Sequence, residues 1–203
     1  MTAVRTATRS RKTAETSIDV TLTVDGADGG RATVDTGLPF FDHMVSQLGK
    51  HGGFDLDVAA KGDLAVDTHH TVEDVGILLG ETFKEAMGDK AGVRRFASAS
   101  VPLDEALIEV ALDLSGRPFL VYEVDLPGDV PLLGQPGFDP QLAEEFWRAF
   151  VTSAAITLHI RKRSGKNTHH IIEASFKALA RAMDQATQVD PRVSGVLSTK
   201  GAL

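Results

Sequence analysis

Residues 66–76 read VDTHHTVEDVG, and a hundred residues later 166–176 read KNTHHIIEASF. The segments around the two copies of Thr-His-His-x-x-Glu follow one order, so the chain is an internal duplication with a period of roughly a hundred residues, far too few copies for a solenoid. In the first half Ile18, Val20, Leu22 and Val24 alternate as a half-buried strand requires, and DGADGG turns the chain into RATVDTG. LPFFDHMVSQLGKHGG then reads as a short helix framed by Pro39, Asp42 and the glycine pair 52 and 53. FDLDVAA is a further strand, and a longer helix runs from the histidines to about Met87, with Val72, Val75, Leu78, Leu79, Phe83 and Met87 on one face.

The second half repeats this order. Strands are predicted in VPLDEALIEVALDLSG and PFLVYEVDL, a helix in PQLAEEFWRAFVTSA and a strand in ITLHIRKR. The last helix runs from His169 to about Val189, with Ile172, Phe176, Leu179 and Met183 on its apolar face. The expected fold class is α+β: a two-layer sandwich from an internal duplication, each half a mainly antiparallel sheet with helices on one face. The half-repeats span 1–92 and 93–203 and are expected to pack as one compact unit. LPGDVPLLGQPGFDP, rich in Pro and Gly, reads as a loop without a first-half counterpart, and the tail DPRVSGVLSTKGAL as either disordered or a lid.

No apolar run approaches the roughly 20 residues needed to cross a bilayer, and the N-terminus lacks the apolar core of a secretory signal. The expected location is therefore cytoplasmic, with no membrane partner. Arg5, Arg9, Arg11 and Lys12 precede the first acid, Glu15, a pattern that also suits a transit peptide or a nucleic-acid arm. A basic lead-in to the first strand fits better, since the net charge of −7 argues against nucleic acid as a partner. The chain has no cysteine, so any metal must be held by nitrogen and oxygen.

On a helix, residues four apart share a face, so His69 with Glu73, and His169 with Glu173, can grip one ion. His70 and His170 point about 100° away and suit a different ion. If the copies face each other, within a chain or between subunits, each ion can take a His–Glu pair from one copy and the second histidine from the other. The short upstream helix can add a fourth ligand: His43 in the first half and Glu145, in AEEFW, at the equivalent place in the second. Nitrogen and oxygen ligands with room for substrate favour Mn, Fe or Co, with Zn possible. A single His-His pair is more often a solvated helix start capped by Asp67 or Asn167; two at matched positions favour metal. His51 lies by a Gly-Gly turn within reach of such a site, whereas His159 alternates in a strand and reads as structural.

With TAET, LPFFDHM, DTHHTVEDVG, PLDEALIEVALDLSGRP, TLHIRKRSGKNTHHIIEASFKALARA and DPR…STKG in this order, almost the whole chain resembles the imidazoleglycerol-phosphate dehydratases of histidine biosynthesis. The resemblance implies a hydro-lyase that converts D-erythro-imidazole glycerol phosphate to imidazole acetol phosphate. It implies two Mn2+ per subunit, with another divalent transition metal possible, that bind the ring, help deprotonate it and let it expel the adjacent hydroxyl through a diazafulvene. A carboxylate, by similarity Glu15, then moves the proton on the next carbon. The ligands carried over are His43, His69, His70, Glu73, His169, His170 and Glu173. Glu145 stands where the family pattern usually has histidine; a carboxylate also suits Mn, so the affinity of one ion is left open. For substrate and its phosphate the resemblance implies Gln47, His51, Arg95, Arg117, Lys177, Ser198, Thr199 and Lys200. It further implies a homo-24-mer built from trimers, with sites at subunit interfaces.

Two rivals use the same residues. A two-metal phosphoester hydrolase would turn over generic phosphate esters with a metal-bound hydroxide. A non-catalytic metal-binding oligomer would have no activity for Glu15→Gln to remove.

Overall fold

The alternation read in the first half has a direct structural counterpart: Ile18, Val20 and Leu22 are buried on one face of a strand while Ser17 and Asp19 are exposed on the other. The computed structural model describes residues 4–128, 131–201 and 203. Its first half runs β1 (Thr6–Lys12), β2 (Thr16–Thr23), β3 (Arg31–Asp35), α1 (Pro39–Gly52), β4 (Asp55–Gly62) and α2 (His69–Met87). The second repeats it as β5 (Phe96–Leu103), β6 (Ala106–Asp113), β7 (Phe119–Glu123), α3 (Leu142–Ala154), β8 (Thr157–Ser164) and α4 (Thr168–Thr187).

Each half forms a four-stranded sheet, in the orders β1-β2-β4-β3 and β5-β6-β8-β7. The pairs are antiparallel except β3 with β4 and β7 with β8, which are parallel. Parallel neighbours need a crossover, and α1 and α3 supply it. Helices cover one face of each sheet, as expected for this α+β fold, and the halves meet helix to helix: α2 lies on α3, and α1 on α4. Both helical layers therefore fill the space between the sheets. Their core is aromatic, with the Trp147 ring centred 4.2 Å from Phe176 and 4.7 Å from Phe146.

Three details differ from the sequence expectation. The basic lead-in is itself strand β1, hidden because it is an edge strand in which only Ala7 is buried. RATVDTG holds β3, a five-residue edge strand whose side chains are exposed or half-buried, so no apolar alternation marks it. Of the two readings of the tail, disorder does not hold: Asp190 N–H donates to Gly92 O at 2.8 Å, and Gly92 N–H to Gly195 O at 2.8 Å, which fold it against the start of the second half. The Pro/Gly-rich segment is irregular, as expected; its positions 129 and 130 lie outside the described residues. Its Phe138 is fully buried against Phe40 and Phe41.

The ends of α4 set the positions of the functional groups. Its first turn carries His169 and His170 beside the β5–β6 turn. At its other end, Ala186 O accepts from Arg95 N–H at 2.9 Å, just ahead of β5.

Candidate active site

The packing of α1 on α4 brings His43 of the first half to the Thr-His-His copy of the second. Glu173 Oε2 lies 3.0 Å from His169 Nε2 and 3.5 Å from His43 Nε2. Among the described residues these three form the group of imidazoles and carboxylates close enough to share an ion, with ligand atoms within 4.8 Å of one another. The other oxygen of Glu173 accepts from Lys177 Nζ at 2.7 Å. Burial opposes the charge on Glu173, but the Lys177 ammonium and the nearby imidazoles outweigh it and hold the carboxyl below its ordinary range. Gln47 lies one turn beyond His43 and donates to its carbonyl at 3.0 Å, with Nε2 3.3 Å from His43 Nδ1. Burial, then the cations Lys177 and Arg181, push the His51 imidazole below its usual pKa, and His51 O accepts from Arg181 of α4 at 3.3 Å.

The first copy is arranged differently. His69 Nε2 is 3.9 Å from Glu73 Oε2, one turn along α2. His70 turns the other way, with Nδ1 3.1 Å from Asp63 Oδ2 and 3.9 Å from Glu15 Oε2. The Asp63 contact raises the His70 pKa. Asp67 precedes the cap position of α2, which is Thr68, and its carboxylate accepts from Thr68 and His69 N–H. Asn167 is the cap of α4 and accepts from His170 N–H. In the second copy His170 Nδ1 is held by Glu105 Oε2 at 2.8 Å. That hydrogen bond, with the N–H groups of Asn167 and Lys166, brings the Glu105 carboxyl down to about 2. Glu145 pairs with Arg148 at 3.6 Å on its own helix and does not join the His43 group. His159 lies on the outer face of the second sheet, in a shallow groove with Ser98, Ser100 and Arg161.

A second constellation forms at the far end of α4. Arg95, Arg117, Arg192, Ser198, Thr199 and Lys200 line one open groove roofed by the folded tail. Arg95 donates from Nε and one terminal nitrogen to both oxygens of Asp113, at 2.7 and 3.1 Å, and from the other to Leu197 O at 2.6 Å. That fixes the fork and leaves further N–H groups toward the groove. Arg117 sits in the turn after β6, its N–H donating to Ser115 Oγ at 3.1 Å. Cationic and hydroxyl groups converging on an open groove suit a phosphate dianion.

Sequence reasoning missed Asp63, Glu105, Asp113 and Arg192. The first two hold histidine rings, Asp113 aims Arg95, and Arg192 adds a cation to the groove. Only Glu105 left a trace in the sequence: like Glu15, it immediately precedes the second strand of its half.

The profile of the family described as imidazoleglycerol-phosphate dehydratase matches residues 36–183. The chain belongs to the imidazoleglycerol-phosphate dehydratase family. Its curated relatives of that name include one from Acetivibrio thermocellus, 55% identical over 194 residues that cover 96% of either chain. Another, from Gluconacetobacter diazotrophicus, is 54% identical over the whole of both. Among solved structures, the dehydratase of Staphylococcus aureus superposes with a TM-score of 0.80 at 34% identity, covering 91% of this chain and 99% of its own. The Pyrococcus furiosus enzyme gives the same score at 35% identity, covering 96% and 100%. The duplicated α+β architecture is thus that of the family, and the chain is an enzyme of the dehydratase class in histidine biosynthesis. Among the described residues no helix is long and apolar enough to cross a membrane.

Proposed function

We propose that this enzyme removes water from D-erythro-imidazole glycerol phosphate to give imidazole acetol phosphate, with two Mn2+ per chain, in the cytoplasm. The observation that carries the metal dependence is the convergence of His43, His169 and Glu173 from two helices of different halves. The donor set fits: two imidazole nitrogens and one carboxylate oxygen suit a borderline-to-hard divalent ion with open positions for substrate. His69, Glu73, His70 and His170 supply further ligands, and Glu145 is the remaining candidate. Bound there, the ions would act as Lewis acids that stabilise the substrate's ring as an anion.

The protein's own groups do the rest. Arg117, Lys200, Ser198 and Thr199, with Arg95 aimed by Asp113, hold the phosphate and fix the glycerol chain. Glu15, exposed at the β1–β2 turn, takes the proton from the carbon next to the one that loses its hydroxyl, and the resulting enol becomes the ketone.

The two constellations sit toward opposite ends of α4: from His169 and Glu173 to Ala186, where Arg95 docks, is roughly 20–26 Å at 1.5 Å per residue. A substrate with three carbons between ring and phosphate is far shorter. One chain therefore cannot bring its own metal ligands and its own phosphate groove to one molecule, and the missing part comes from another copy. This supports sites at subunit interfaces of a homo-oligomer, which we take to be a 24-mer built from trimers.

The test is turnover by metal-stripped protein with and without Mn2+, with product and bound metal both measured. Mn-dependent imidazole acetol phosphate and about two ions per chain are expected. Two ions without product would leave the hydrolase or the non-catalytic oligomer, which a generic phosphate ester then separates.

A further inference from the structure

The duplication places Glu15 and Glu105 at matching positions, each immediately ahead of the second strand of its half, β2 from Thr16 and β6 from Ala106. It likewise matches His70 with His170. The matched pairs nevertheless behave differently. Glu105 Oε2 holds His170 Nδ1 at 2.8 Å, and its other oxygen accepts from Lys166 and Asn167 N–H at 3.0 and 2.8 Å. Glu15 stands back from His70 Nδ1 at 3.9 Å, and its carboxylate accepts no hydrogen bond among the described residues. Its place is taken by Asp63, the first residue after β4, 3.1 Å from His70 Nδ1. The matching residue after β8 is Gly165, which has no side chain to offer. Each half thus supplies one carboxylate to its histidine, from a different position, and the first half has one to spare.

A carboxylate on Nδ1 fixes the tautomer and the plane of an imidazole, with the Nε2 lone pair free to bind a metal. We propose that Asp63 and Glu105 are positioning residues that aim Nε2 of His70 and His170 at the ions, and that Asp63, by occupying His70, releases Glu15 for proton transfer. The pseudo-symmetric halves have divided their labour. One glutamate is bound into the support of a ligand, and its counterpart stands free.

The inference rests on the metal-dependent reading above, and the test separates the two. Glu105 also ties down the loop ahead of α4, so its loss disturbs more than a ring; Asp63, whose carboxylate bonds only His70 among the described residues, carries the experiment. Mn2+ is titrated calorimetrically into metal-stripped wild type, Asp63→Ala, Asp63→Glu and Glu15→Gln. One of the two ions should bind 10–100-fold more weakly to Asp63→Ala, with most of the affinity restored in Asp63→Glu and no change in Glu15→Gln. At saturating Mn2+, where affinity no longer limits, kcat of Asp63→Ala should still fall roughly tenfold or more as Glu15 is drawn onto His70. Wild type that takes up no Mn2+ overturns the metal reading and this one together. Wild-type uptake with unchanged uptake by Asp63→Ala overturns the positioning role alone, and full kcat at saturating Mn2+ overturns the release of Glu15.

Discussion

Replacing Gly80 by alanine tests whether the halves are locked together through α2 and α3. In an exposed helix interior this change stabilises by about 0.8–1.0 kcal/mol, because glycine is the poorer helix former. Here a Cβ at position 80 would lie 2.6 Å from Phe150 O, 2.8 Å from Ser153 Cβ and 2.9 Å from Ala154 N. Two of these are backbone atoms of α3 and cannot swing away. Restoring ordinary contact, 3.4 Å or more, requires the helices to part by several tenths of an ångström, and the Phe83–Phe150 contact lies in the same seam. Overpacking of this kind costs about 1–3 kcal/mol, with the upper half fitting a clash against backbone. After the propensity gain the net loss is about 1–2 kcal/mol, a fall in Tm on the order of 2–8 °C for a chain of this size. Trp147, the single tryptophan, is fully buried beside this seam, so its fluorescence reports the transition. The melts belong at one protein concentration, since assembly shifts Tm. A Gly80→Ala variant that melts at or above wild type would refute the close approach of the halves.

Four further outcomes are expected. Glu15→Gln should lower kcat about 10²–10⁴-fold and leave Mn2+ uptake unchanged; retained activity would exclude it as the acid–base group. His43→Ala removes one member of the only three-ligand cluster among the described residues, so uptake should fall toward one tightly held ion per chain, read by metal analysis after dialysis. Arg117→Ala should raise KM about 10–100-fold with little change in Tm, the loss of one charge-assisted contact to phosphate; an unchanged KM would remove Arg117 from the phosphate site. Arg192, with help from Arg94, holds the Asp190 carboxyl far below its ordinary value. Its contribution to stability is therefore complete above the unfolded value of about 3.9 and is lost as pH falls toward the folded one. Asp190→Asn should lower Tm at pH 7 by more than at pH 3; an equal drop at both would show that the ion pair does not matter.

What was legible in the sequence is what periodicity and duplication encode. The apolar faces of α2 and α4 and the inner face of β2 show because burial on one side forces a period of 3.6 or 2. β1 and β3 were lost because they are edge strands that bury little and carry no apolar run, unlike the edge strand β7, whose run Phe119–Tyr122 is legible. The histidines and Glu173 were visible because the motif recurs. That His43 reaches His169 was not, since a contact between α1 and α4 depends on how the halves dock. Asp63 was the least visible of all. It is a turn residue, and a turn aspartate usually serves its own backbone.

Duplication bears on why the proposed phosphate groove and the proposed metal ligands stand apart. A repeat gives each half a helix that starts with two histidines, and an arginine just ahead of its first strand, Arg5 and Arg95, but only the second half's arginines, Arg95 and Arg117, line the groove. Arg5 donates to Asp25 from Nε and one terminal nitrogen and from the other to Thr187 O at 2.7 Å, so it closes the first half onto the end of α4. Arg5 and Arg95 are held in the same way, each by an aspartate and a backbone carbonyl, but only Arg95 also lines a groove. In the proposed homo-oligomer, a phosphate groove from one copy would meet the histidines of others. On that proposal, the asymmetry between the halves is what ties turnover to assembly.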